Sequence, residues 1–223
     1  MENRKIPLAV PIVLIAIAVA VVVILITTIS APQINTLYPT EVRNFQGENL
    51  SSIAAVKSNA IEGIQNVNRS IYNLTITGLV DNTMHISYDN VLNNYQNYQK
   101  VVTIFCVEGW RAKILWEGVL VEDLLKDAGA NMSASVVILR ASDGYSTSLP
   151  LDYIINNKIL LAYKMNNVTM PPERGWPFEL VAESQFGYKW IKWVTQIEVS
   201  NNADYRGYWE SRGYPNNATV SIR

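Results

Sequence analysis

One cysteine, Cys106, and one histidine, His85, are all that the chain offers as soft-ligand or imidazole chemistry. A single Cys excludes an internal disulfide, a cysteine-only zinc site and a self-contained iron–sulfur cluster. A single His excludes a His-rich zinc site and a bis-His haem. Redox or metal chemistry would therefore rest on one side-chain sulfur and an imported cofactor. Cys106 opens the run Cys-Val-Glu-Gly-Trp110 directly after Val101–Phe105, an apolar, β-branched segment that reads as a buried strand. Its thiol has two readings. It is a small buried hydrophobe at the end of a core strand, or it is a thiolate favoured by Arg111 and Lys113 nearby in sequence. A thiolate there could be a nucleophile, a redox sensor or a metal ligand. His85 falls in an expected strand or turn and reads as structural.

The elements that must hold this loop are set by the rest of the chain. With 223 residues, it has room for one domain and a small appendage. A net charge of −1 gives no basic field for nucleic acid. Charged residues make up 17%, low for a soluble domain, and Ile6 to Ile29 carries no charge at all. Arg4 and Lys5 precede that stretch. It reads as an uncleaved, single-pass transmembrane helix, longer than the apolar core of a signal peptide. The positive-inside rule then puts the rest of the chain outside the cytoplasm. Sequons at Asn49, Asn68, Asn73, Asn131, Asn167 and Asn217 fit an exported domain.

Residues 1–30 are thus expected to be a membrane anchor, 31–70 a polar linker and arm, and 71–223 the working domain. Strands are expected at 73–77, 84–88, 101–105, 136–139, 146–149, 159–163, 178–182 and 191–199. Asp89 is expected to cap a short helix. Val121, Leu124, Leu125 and Ala128 share one helical face, with Gly129 where a C-cap belongs. The pattern predicts an α+β domain of mixed sheets with short helices.

An ordered set of motifs runs through that domain: Cys106-Val-Glu-Gly-Trp110, Trp116-Glu-Gly-Val119, Asp143-Gly-Tyr145, Pro171-Pro-Glu-Arg-Gly175, Gly187-Tyr-Lys-Trp-Ile-Lys192, and Gly207-Tyr-Trp209 with Gly213-Tyr214. The set resembles the molybdopterin-binding domain of the sulfite oxidase superfamily, and is most similar to its short prokaryotic branch, which includes the periplasmic methionine-sulfoxide reductase subunit. The resemblance implies a sulfite-oxidase-like fold. It also implies that Cys106 binds molybdenum beside the two sulfurs of a pterin dithiolene. Gly187, Tyr188 and Lys189 match a pterin-contacting loop, Lys192 recurs three residues on, and Asn59 and Ser142 match further contact positions. Where relatives often carry a phosphate-binding Arg, this chain has Glu179, so that Arg174 or a lysine must take over or the contact is absent. Arg111 falls near an anion-binding position of sulfite-oxidising relatives, and its fork suits a small oxyanion. Glu108 would tune the metal or support its loop.

The resemblance and the apolar N-terminus together imply a membrane-anchored oxidoreductase moving an oxygen atom to or from a small sulfur or nitrogen oxide compound. Its electrons would pass to a cytochrome or quinone-linked partner. Two rivals stand beside it: a cofactor-free extracellular binding or scaffold module that kept the fold, and a thiol-based redox protein using Cys106 without a metal.

Overall fold

The computed structural model describes residue 38 and residues 40–221. Twelve strands and three short α-helices alternate along them. A small hairpin of β1 (Asn44–Phe45) and β2 (Glu48–Asn49) opens the arm. Then come β3 (Asn73–Gly78), β4 (Met84–Ser87), α1 (Tyr88–Asn94), β5 (Asn97–Phe105) and β6 (Arg111–Leu120). They are followed by α2 (Val121–Asp127), β7 (Val136–Ala141), β8 (Ser146–Pro150), α3 (Leu151–Asn156), β9 (Leu160–Met165) and β10 (Val168–Thr169). The last strands are β11 (Glu179–Val181) and β12 (Val194–Ser200).

Two five-stranded sheets result. One runs β10-β9-β6-β5, with β11 also pairing to β9, and every pairing in it is antiparallel. The other runs β4-β3-β12-β7-β8, with a single parallel pairing between β3 and β12. Buried residues of both sheets and all three helices form one apolar cluster. The α+β character expected from sequence is therefore present.

Strand β6 carries the first sheet. It is paired on both edges, and from Ile114 to Leu120 every residue is buried. A strand covered on both faces shows no polar alternation, which is why sequence pattern missed it. Trp116 is wholly buried. It donates its indole N–H to the Val102 carbonyl (3.2 Å) and packs on Trp190 with ring centroids 5.4 Å apart. The register slips between Glu117 and Gly118. A Cβ on Gly118 would lie 2.2 Å from the Leu161 carbonyl oxygen, so no side chain fits.

Helix α2 buries Val121, Leu124 and Leu125, as their spacing requires. It ends in a left-handed Gly129, where Gly129 and Ala130 donate back to Lys126 (3.0 Å) and Leu125 (2.9 Å). The cap of α1 is Ser87 rather than Asp89, which sits in the first turn. Helix α3 is absent from the elements expected from sequence, and only its Leu151 and Ile154 are buried. The last strand starts at Val194 rather than 191, because Trp193 turns left-handed (φ 51°).

The expected anchor lies outside the described residues. Among the described residues no helix is long and apolar enough to cross a membrane. The longest, α1 and α2, have 7 residues. At about 1.5 Å per residue they reach roughly a third of the ~30 Å hydrocarbon core. The expectation of a spanning helix is thus corrected for the described residues, which form the α+β domain with no such helix among them, and neither the membrane as a partner nor a single-pass placement outside the cytoplasm is retained.

Gly118→Ala should lower stability by about 1–3 kcal/mol or more, because the contact it creates is with backbone. Urea unfolding of the domain measures this. An unchanged midpoint would mean that β6 and β9 can separate freely at the bulge.

Candidate functional site

Strand β5 delivers Cys106 to a tight turn. The Cys106 N–H donates to the Trp110 carbonyl (2.9 Å), and the Gly109 N–H donates to the Cys106 carbonyl (3.0 Å). Gly109 adopts φ 89°, which its lack of a Cβ allows. The turn presents a half-buried, free thiol to a cleft of about 220 Å³. The cleft walls come from all parts of the domain: arm residues 56–61, the Asp143–Tyr145 turn, the 3-10 turn Pro172–Arg174, the 3-10 turn Gly187–Lys189, and Trp209 with Tyr214.

Most of the residues picked out from sequence meet here. Asn59, Cys106, Glu108, Arg174, Gly187, Tyr188 and Lys192 all line the cleft. The amide of Asn59 donates to Glu108 (3.3 Å), which also accepts from the Trp110 indole (3.3 Å), so the arm is tied to the cysteine loop. Gly187 approaches the same loop closely, and a Cβ there would sit 3.8 Å from the Cys106 Cα, an ordinary contact.

Three residues are placed elsewhere. Arg111 is exposed at the start of β6 and does not line the cleft. Ser142 is also exposed, and it is its neighbour Asp143 that faces the cleft. Lys189 is wholly buried behind the wall. Its ammonium donates to the Ser148 carbonyl (3.0 Å), to Asn216 Oδ1 (2.8 Å) and to the Glu210 carboxylate. All three ammonium donors are used, so Lys189 has none left for a ligand. Burial pushes its pKa down, against the opposite pull of Glu210.

That ion pair has a positional effect. It joins the turn carrying Tyr188 to the 3-10 turn Glu210–Arg212, which follows Trp209. Tyr188 and Tyr214 then meet edge to face at 5.1 Å, and Trp209 packs on Tyr214 at 5.2 Å. An aromatic wall results. Sequence motifs point at these aromatics but not at Glu210, whose role emerges only when distant segments meet.

The polar end of the cleft is unusual. Arg174 is only 8% exposed, and its Nε is buried without a hydrogen-bond partner. Lys192 donates to Ser58 Oγ and to the Asn59 carbonyl, both at 2.6 Å, and stands 4.3 Å from the centre of the Trp193 ring. Glu179 is buried beside them. Burial pushes its carboxyl up to about 8, against the opposing pull of Lys192 and Arg174. In sequence Glu179 stands out as a reversed charge at a position where the resemblance implies a phosphate contact, but nothing there shows that it is buried.

Known proteins share this fold and its sequence pattern. The family model described as the oxidoreductase molybdopterin binding domain matches residues 61–209. The chain belongs to that family. The uncharacterized oxidoreductase YuiH of Bacillus subtilis is 36% identical over 144 residues, covering 64% of this chain and 72% of YuiH. The protein-methionine-sulfoxide reductase catalytic subunit MsrP of Gluconobacter oxydans is 29% identical over 145 residues, covering 57% of this chain and 46% of MsrP. The sulfane dehydrogenase SoxCD of Paracoccus pantotrophus shares the fold, with a TM-score of 0.60 at 20% identity over 63% of this chain and 41% of that one. The chain thus spans less than half the length of the latter two.

The residues present fit the group that the family name implies. The cleft offers one unpaired soft sulfur at one side and a buried, unpartnered guanidinium N–H in its wall. Among the described residues no group of three or more His, Cys, Asp and Glu could hold a metal ion. A metal held here would therefore keep most of its ligands from the cofactor itself.

Both buried carboxylates give measurable outcomes. Lys189→Met strands the buried Glu210 carboxylate and should cost about 3–5 kcal/mol. Adding Glu210→Gln should recover part of it in urea unfolding; equal midpoints for wild type and single variant would show that the pair carries no weight. Glu179 keeps its proton in the folded state up to about 8 against a reference value of 4.5. The native state then holds a proton that the unfolded chain releases, so stability falls as pH rises across that window. Glu179→Gln should raise the melting temperature at pH 8 and leave it nearly unchanged near pH 4.5; a pH-independent gain would refute a neutral, buried acid.

Proposed function

We propose that this domain binds a molybdopterin in the cleft and transfers an oxygen atom to or from a small sulfur or nitrogen oxide compound, as an oxidoreductase of sulfite oxidase type. The observation that carries the reading is the free Cys106 thiol, fixed by its turn on a cleft that is also lined by Arg174, whose buried Nε–H has no partner. When bound, the group supplies two-electron oxygen-atom transfer at a metal held by soft sulfur ligands.

The chain's own residues set the conditions. Cys106 would hold the metal, its backbone already fixed by Trp110 and Gly109. Arg174 and Lys192 would face the phosphate end, where charge-assisted N–H···O bonds are strong. Asn59 and Glu108 close the arm over the metal side. Tyr188, Trp209 and Tyr214 supply an aromatic wall that excludes water and leaves room for the apolar body of a substrate. Arg111, exposed outside the cleft, has no part in this arrangement.

A cofactor-free scaffold has no need of a buried Arg174 with an orphaned Nε–H, which favours the enzyme. The test is metal and pterin content after expression in a cofactor-competent host. Wild-type protein should carry stoichiometric molybdenum. Cys106→Ser should fold, with unchanged melting and circular dichroism, but lose molybdenum and sulfoxide- or N-oxide-dependent turnover, since a hydroxyl is a hard and weakly acidic substitute. Metal retained in the Ser variant would overturn the ligand assignment. A wild-type protein without pterin but with a reactive thiol would favour metal-free thiol chemistry.

A further inference from the structure

We propose that Glu179, Arg174 and Lys192 together form a tetrahedral-oxyanion subsite in which Glu179 acts as a hydrogen-bond donor, so that anion binding depends on its proton. This deepens the reading above and, for the natural occupant, rests on it.

The three residues arise from three elements, Arg174 from the Pro172–Arg174 turn, Glu179 from the start of β11, and Lys192 just after the Gly187–Lys189 turn. They meet around one residue. Gly175 has φ 110°, and a Cβ on it would lie 3.0 Å from Lys192 Cγ and 3.2 Å from Glu179 Cβ. The two side chains therefore stand together over Gly175, next to Arg174, and all three line the cleft. Lys192 is further fixed by the left-handed Trp193. The Trp193 N–H donates to the Gly175 carbonyl (3.2 Å), its carbonyl accepts from the Ser142 N–H (3.1 Å), and its indole donates to the Pro172 carbonyl (2.8 Å).

The cluster is not closed by internal pairing. Among the described residues neither cation makes a salt bridge to Glu179, and the Glu179 side chain takes part in no hydrogen bond, while Arg174 Nε is an orphan. Among the described residues Lys192 donates to neutral oxygens alone. With burial holding Glu179 as the neutral acid through neutral pH, the cluster presents the Glu179 O–H and the Arg174 Nε–H without an acceptor among the described residues. An oxyanion with several oxygens supplies what is missing. The other charged groups nearby do not. Asp143 accepts from the Tyr145 N–H (3.0 Å), and Glu173 accepts from the Tyr38 hydroxyl (2.6 Å). Ionised Glu179 would oppose the same ligand by like charge, and a bound anion would in turn hold the Glu179 proton more firmly.

The ligand class is a phosphate monoester, such as the cofactor's own end, or a free tetrahedral oxyanion of the same shape. Sulfate is the right probe because its charge is constant across the pH range. Calorimetric titration of sulfate into the metal-free full chain should show affinity that is level below about pH 8 and falls up to about tenfold per unit above it, the slope for one linked proton. Glu179→Gln should bind at neutral pH and lose that slope. Arg174→Gln should weaken binding about 10- to 100-fold at every pH. A slope that persists in Glu179→Gln would assign the titration to Lys192 and overturn the proposal, as would wild-type protein with no sulfate affinity. Protein loaded with pterin should no longer bind sulfate if the cofactor's phosphate fills the gap; undiminished binding identifies a free oxyanion as the occupant. A Glu179-dependent slope in a chain that takes up no molybdenum would sink the cofactor reading and leave the subsite standing.

Discussion

From Ile114 to Leu120 strand β6 has no solvent face, and that constraint organises the first sheet. A strand buried on both sides and paired on both edges must satisfy every backbone group through neighbouring strands and every side chain through packing. Its length and register are therefore tightly determined. At its head the chain has nowhere to go except back along β5, through the short Cys106–Trp110 turn. In its second half the bulge at Gly118 lets β9 come close enough for the Leu161 carbonyl to occupy the place of a side chain. The sulfur is positioned by the turn between two paired strands of the sheet rather than by a free loop. A site built on regular structure in this way keeps its geometry with little help from the ligand.

The two ends of the cleft solve different physical problems. Behind the aromatic wall, Lys189 and Glu210 are both removed from water and are paired with each other. Such a pair is weak evidence for stability, but breaking it is expensive, so it fixes which two turns lie together. At the other end Arg174 and Glu179 are also withdrawn from water, with the half-buried Lys192 beside them, and are not closed into pairs. Donors left without acceptors in a low-dielectric wall cost free energy in the empty domain. That cost is returned when a ligand supplies the acceptors, which makes the strained cluster selective for anions of the right shape.

Much of this is legible in the sequence, and the failures have identifiable causes. The helix over Val121, Leu124, Leu125 and Ala128 is readable because one face is buried and the other is not. Strand β6 is unreadable by the same logic, since burial on both faces erases the pattern. The order of short motifs leads to the correct family, and with it to Cys106 and most of the cleft. It cannot separate Lys189 from Lys192, which sit three residues apart in one motif. The partners that decide between them, Glu210 and Asn216 for one and Ser58 and Asn59 for the other, lie far away along the chain. Trp193 shortens the last expected strand for a similar reason, because its left-handed turn is held by Gly175 and Pro172.

The arm across the cleft is held lightly. Residues 57–60 are exposed, and the side-chain bonds that bind them to the domain run from Lys192 to Ser58 and Asn59 and from Asn59 to Glu108. None of them is part of either sheet. Opening this flap breaks a few solvent-accessible contacts and leaves both sheets and the core intact, so it belongs to the low-energy end of the native-state fluctuations. A bulky ligand can then enter a domain that has already folded. Such entry asks the domain to give up only these arm contacts, not any pairing of its sheets.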